Sequence, residues 1–138
     1  MQGQWQLSIG SAGADQPVKF DWLGGLALAS DDAYLLVLDL NNCRVAILSA
    51  TDGASVCSLT FRTLRERPSH IVVVPATGEV LVTIPHQVVR VRSCDSTVIG
   101  ILGTGRGSGP TEFDYPDGLL ILEKHIFPAV CSFLLMPM

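Results

Sequence analysis

Charge is scarce in this chain. Only 16% of its 138 residues are charged and 7% are aromatic, while 48% are hydrophobic. A disordered tail would show the reverse balance, so the composition calls for a packed core. Basic residues are also few. Nine Lys and Arg stand against thirteen Asp and Glu, for a net charge of −4. The basic face of a nucleic-acid binder is missing, and a nucleic-acid partner is not expected. No C-x-x-C pair occurs among Cys43, Cys57, Cys94 and Cys131, and His70, His86 and His125 lack metal-ligand spacing. The cysteines read as reduced core thiols, and neither a metal nor a cofactor is expected. The opening residues, Met1-Gln2-Gly3-Gln4-Trp5-Gln6, have no basic start and no apolar run, so they do not read as a secretory leader. With reduced thiols, this sets the expectation of an intracellular, cytoplasmic protein. The uncharged apolar stretch 126–138 has 13 residues and two prolines. It falls short of the ~20 apolar residues of a membrane-spanning helix, and no membrane association is expected.

Helix signals are missing too. Leu64-Arg65-Glu66-Arg67 is stopped at once by Pro68. What the chain does contain is a repeat. Ser8-Ile9-Gly10 precedes a loop leading to Phe20-Asp21-Trp22-Leu23-Gly24-Gly25-Leu26-Ala27-Leu28. Ile101-Leu102-Gly103 precedes a loop leading to Phe113-Asp114-Tyr115-Pro116-Asp117-Gly118-Leu119-Leu120-Ile121. The offset is 93 residues at Gly10 to Gly103, at Phe20 to Phe113 and at Gly25 to Gly118. A weaker copy lies between them, Arg67-Pro68-Ser69-His70-Ile71-Val72-Val73-Val74, with His70 in place of glycine. The steps from Gly25 to His70 and from His70 to Gly118 are then 45 and 48 residues. That period matches propeller blades of four strands, about 40–50 residues each.

The interior of each unit supports this reading. Strands are predicted at 26–28, 34–38, 44–48 and 55–59. Between them lie turn signals at Ser30-Asp31-Asp32, Asp39-Leu40-Asn41-Asn42 and Thr51-Asp52-Gly53. The second unit repeats the order at 71–74, 80–84, 88–92 and 98–102, with turns at Thr77-Gly78 and Pro85-His86. The expected fold is all-β, an antiparallel meander repeated as blades.

These residues resemble the NHL repeat. Phe20-x-x-Leu-x-Gly25-Leu-Ala-Leu is followed by Tyr34 and Val37, then by Asp39-x-x-Asn42-x-Arg44-Val45-x-Ile47. The third unit carries Phe113, Pro116 and Gly118 of the same opening, and the glycine-rich 103–109 segment is similar to the family's inter-repeat loop. Leu23 stands where the pattern has proline. The second unit replaces Asp-x-x-Asn-x-Arg with Ile84-Pro85-His86-Gln87. The resemblance implies a partial β-propeller of NHL type over residues 1–122. Residues 4–10 would end a preceding blade, 20–61 and 68–103 would form a regular and a degenerate blade, and 113–122 would start a third. Residues 123–138 form an off-pattern apolar tail. The resemblance implies structural roles for Phe20, Gly25, Asp39, Asn42, Arg44, Phe113, Pro116 and Gly118.

About three repeats are fewer than the ~4–8 blades of a propeller. The expectation is that the chain belongs to a longer product, or that copies associate to complete a ring. No catalytic residues are assigned. The 103–109 segment fits neither phosphate-loop pattern, because Ser108 and Pro110 occupy required glycine positions. Asp31-Asp32 and Asp52-Gly53 read as turns rather than calcium loops. The role implied by the resemblance is a non-catalytic platform for a protein partner. Two alternatives come with the family. One is a metal-assisted propeller enzyme similar to peptidyl-hydroxyglycine lyases or lactonases, with His86 as a candidate ligand. The other is an RNA-binding propeller using Arg62, Arg65 and Arg67 beside Phe61, a cluster that otherwise reads as a solvated loop.

Overall fold

A computed structural model describes residues 3–4, 7–13, 16–29, 32–60, 67–92, 97–122 and 133–137. Two short strands, β1 (Ser11–Ala12) and β2 (Lys19–Phe20), pair in parallel. The first four-stranded sheet follows: β3 (Leu23–Leu28), β4 (Tyr34–Asp39), β5 (Arg44–Ser49) and β6 (Ser55–Thr60). The second contains β7 (His70–Val73), β8 (Val80–Ile84), β9 (Gln87–Val91) and β10 (Val98–Leu102). Both sheets are antiparallel with strands in chain order. There is no helix among the described residues, hence none long and apolar enough to cross a membrane.

The strands form where apolar β-branched runs meet turn residues. Asp52-Gly53 closes the β5–β6 hairpin with Gly53 at φ +74. Thr77-Gly78 closes β7–β8 with Gly78 at φ +71. Pro85-His86 closes β8–β9 with His86 at φ +71, the residue pattern of a type II turn.

Successive side chains of a strand point to opposite faces, and both faces of each central strand are buried here. Leu36, Leu38, Val45, Ile47 and Leu59 of the first sheet meet Ile71, Val80, Val82, Ile84, Val89 and Val91 of the second. Val37, Ala46 and Leu48, on the other face of the first sheet, pack on Phe20 and Ile9. Leu81 and Val88, on the far face of the second sheet, pack on Leu119. Each fully buried aliphatic side chain contributes about 1.5–3 kcal/mol relative to exposure. The core therefore lies between sheets, as in stacked repeats.

A third unit begins with β11 (Gly118–Leu122). The first strands of the three units are neighbours: β3 lies against β7, and β7 against β11. This is the arrangement of adjacent propeller blades, with the first strand of each unit innermost. The partner of β11 is β12 (Phe133–Pro137), which pairs with it in parallel. That departs from the antiparallel order of the first two sheets.

The structure repeats at the same 93-residue offset as the sequence. Gly10 and Gly103 have φ +91 and +98, and a Cβ at either would collide with the ring of Phe20 or Phe113 respectively. Ser11 N–H donates to Val18 C=O and Thr104 N–H to Thr111 C=O, at 3.2 and 2.8 Å. Residues 4–10 were expected to end a preceding blade. Leu7–Gly10 carry no strand, and Trp5 and Gln6 lie outside the described residues. Also outside them are Phe61, Arg62, Arg65, Cys94, Cys131 and the tail residues 123–132 and 138.

Candidate interaction face

The turns that join β4 to β5 and β8 to β9 stand beside the loops that lead into the first strands. In the first unit the link is polar and buried. Asp39 is fully buried. Its Oδ2 accepts hydrogen bonds from Asn42 Nδ2 and Arg44 Nε, both at 2.8 Å, and its Oδ1 accepts from the Asp21 backbone N–H at 2.8 Å. Arg44 Nη2 donates to the carbonyls of Gln16 and Lys19, and the guanidinium lies 5.8 Å from the centre of the Phe20 ring. Asn42 Nδ2 also reaches Gly13 C=O at 3.3 Å. Phe20, Asp39, Asn42 and Arg44 thus form one unit that clamps the 10–20 loop onto the β4–β5 turn. Charge-assisted bonds of this kind are stronger than neutral ones, and no buried side-chain polar atom among the described residues lacks a partner.

The second unit makes the same junction with other chemistry. His86 packs edge-on against Tyr115, with ring centres 4.7 Å apart at 68°. Its Nδ1 accepts from Tyr115 N–H at 3.5 Å and lies 3.5 Å from Asp114 Oδ1. Arg106 Nε donates to the same Asp114 oxygen at 3.2 Å. Gln87 Nε2 donates to Gly103 C=O at 3.4 Å. His86 therefore joins two blades. Among the described residues, no group of three or more His, Cys, Asp or Glu is placed to hold a metal ion.

The remaining motif residues fall into two sets. Phe113 is half-buried beside Gly103, and buried Pro116 accepts a hydrogen bond from Ser69 Oγ through its carbonyl at 3.4 Å. Gly118 opens β11. Gly25 has no steric need for glycine, because a Cβ there would lie 3.7 Å from Ile71 Cγ2, an ordinary contact. The neighbour Gly24 is the constrained one: its Cβ would overlap Leu40 Cδ1. Both glycines sit where the β3–β4 register shifts.

Three side chains that the motif does not include share one position in the repeat. Trp22, Arg67 and Tyr115 each stand three residues before the position held by Gly25, His70 and Gly118. All three are exposed, Trp22 at 73%. Trp22 and Tyr115 also carry left-handed backbone, with φ +65 and +52. Non-glycine residues in that region store strain. The signal was present in the sequence, since the 93-residue offset aligns Trp22 with Tyr115, but exposure cannot be read from alignment. Beside them lies a groove of about 280 Å³. Leu40, Pro68, Pro85, Tyr115 and Pro116 supply its apolar wall, and Arg67 and Asp117 its charged rim.

No protein-family model matches the chain. No curated protein matches it either. Among solved structures the chain is similar to dihydro-heme d1 dehydrogenase NirN in complex with DHE, at 16% identity and a TM-score of 0.48. The match covers 61% of this chain and 19% of that one, so the chain spans about a fifth of that protein's length. The likeness is too low to bear on function.

Proposed function

We propose that this chain is a non-catalytic propeller segment of NHL type that binds a protein partner through the ring face bearing Trp22, Arg67 and Tyr115. One observation carries the reading. The same position in three successive units exposes Trp, Arg and Tyr, the residue types enriched at binding hot spots. In two of the three, backbone strain accompanies an exposed aromatic ring, a combination that stability alone does not favour. The adjacent groove offers a proline-lined apolar wall with a polar rim, the anatomy of a small recognition site. The NHL assignment rests on the Phe20, Asp39, Asn42 and Arg44 constellation, which clamps one loop to one turn.

The test is affinity capture with quantitative mass spectrometry. The bait is the 138-residue chain, compared with a Trp22→Ala/Tyr115→Ala variant and a Val56→Ala control. Val56 is also exposed but sits on β6, away from these loops. A protein retained by the parent and the control but lost from the double variant supports the reading. Equal retention by all three baits sinks it.

A further inference from the structure

The groove beside Tyr115 is built by repetition. Arg67-Pro68-Ser69, which leads into β7, and Tyr115-Pro116-Asp117, which leads into β11, both line it. They hold the same three positions of successive units, the step from Arg67 to Tyr115 being 48 residues. Leu40 and Pro85, in the β4–β5 and β8–β9 turns, also line it and are equivalent to each other at a step of 45 residues. The groove therefore straddles the junction of successive units. Its wall offers little to hydrogen-bond. Pro68, Pro85 and Pro116 have no backbone N–H. The N–H groups of Leu40 and Ser69 donate to the carbonyls of Trp22 and Thr83, and Ser69 Oγ lies 2.7 Å from Thr83 Oγ1. Polar recognition falls to the rim. Arg67 and Asp117 are both exposed there and do not pair with each other. Among the described residues neither side chain has a hydrogen-bond or ion-pair partner. The neighbouring Asp114 differs, because it is shared by Arg106 and His86.

An occupant that complements this groove has an apolar body between a negative and a positive group. The Arg67 guanidinium matches a carboxylate, which it can meet with two parallel N–H donors. The volume of about 280 Å³ lies just below the ~300–1,000 Å³ of small-molecule sites, and it suits side chains of a peptide better than a cofactor. We propose that the groove takes an extended segment of a protein partner in which apolar residues stand between one acidic and one basic side chain. The carboxylate pairs with Arg67 and the basic group with Asp117, while the proline wall and the Tyr115 ring receive the apolar part. This rests on the reading of the ring face as a protein-binding surface and adds the chemistry of the segment it binds. The charge pattern belongs to this junction alone of the two. At the preceding junction Trp22 and Ser69 hold the positions of Arg67 and Asp117, so neither charge is present there.

The experiment is fluorescence anisotropy of labelled synthetic peptides with the 138-residue chain. Each peptide carries two inner positions, filled from Ala, Pro, Leu and Phe, between its end residues. The ends are acid and base in either order, two acids, two bases, or neutral. Arg67→Glu makes both rim charges acidic, and Asp117→Lys makes both basic. Both sites are exposed, and strand circular dichroism checks that each variant keeps its fold. The parent is expected to prefer mixed-charge peptides over like-charged ones by about three- to tenfold, the range of two partly exposed ion pairs. Arg67→Glu should move the preference to dibasic peptides, and Asp117→Lys to diacidic ones. Within the mixed set, Leu and Phe should bind more tightly than Ala. A parent that binds mixed peptides no better than neutral ones overturns the proposal. So does a ranking shared by all three proteins, or a mixed set in which Ala binds as tightly as Leu and Phe. The ring-face reading fails separately, on equal capture of partners by the parent and the Trp22→Ala/Tyr115→Ala bait.

Discussion

Asp39 and Arg44 form an ion pair of 2.8 Å in which both side chains are almost wholly withdrawn from water. Neither charge has another charged partner among the described residues, so each depends on the other. Arg44→Met leaves a carboxylate buried with only Asn42 and the Asp21 amide to satisfy it. Removing one member of a buried pair costs about 3–5 kcal/mol. Urea unfolding should show that loss in the midpoint at unchanged slope. A loss below about 1 kcal/mol would mean that water reaches Asp39 once Arg44 is gone.

Gly103→Ala should be costly for two reasons that add. Its Cβ would lie 2.7 Å from Phe113 Cδ2, and φ +98 disfavours any L side chain. Overpacking and left-handed strain together predict a loss of about 2 kcal/mol or more. Gly10→Ala meets the ring of Phe20 in the same way. Gly78→Ala is the control, because it has φ +71 but nothing within 4 Å of the added carbon. Only the backbone cost of about 1 kcal/mol should remain there. Thermal unfolding of the three variants separates the terms; equal losses would show that the ring contacts are irrelevant.

Trp22→Gly should separate stability from binding. Glycine adopts φ +65 freely and little packing is lost at a residue this exposed. Unfolding free energy is expected to stay level or rise by up to about 1 kcal/mol. Partner retention should fall in the same variant. A stability loss above about 1 kcal/mol would show that the indole packs in the folded state.

Asp52 should titrate below the ordinary aspartate value. The backbone N–H of Ala54, 3.0 Å from Oδ1, is the main cause, and the Ser49 side chain adds to it. A depressed folded value means the contribution is present above the unfolded pKa and is lost as pH falls through the folded one. Carboxyl-carbon NMR titration reads this directly. Asp52→Asn should flatten that part of the acid limb of stability, and an unchanged limb would exclude Asp52 from it.

Much of the fold was legible because its signals are local. The strands at 80–84 and 98–102 match the sequence reading residue for residue, and the others differ at their ends. Apolar runs of β-branched residues bounded by Asp-Gly, Thr-Gly and Pro-His leave few alternatives. Extension of β3 back to Leu23 was not legible, because Gly24-Gly25 reads as a break and becomes a register shift only when β4 is beside it. Gly25 stood out in the repeat, yet Gly24 is the position where Leu40 leaves no room. The pairing of 133–137 with β11 had no local signal at all.

The candidate face shows the same division. The 93-residue offset and the residue types at 22, 67 and 115 are properties of the sequence alone. So are the Asp39, Asn42 and Arg44 spacing and the apolar runs of the strands. Which of those apolar residues meet a neighbour was decided only in three dimensions. Leu26 and Ile71 occupy the same place in the repeat, and one is bare while the other is buried. Their sequence context is alike; what differs is whether a sheet stands in front of them. Strand formation depends on neighbours along the chain, whereas burial depends on surfaces brought together from far apart in it.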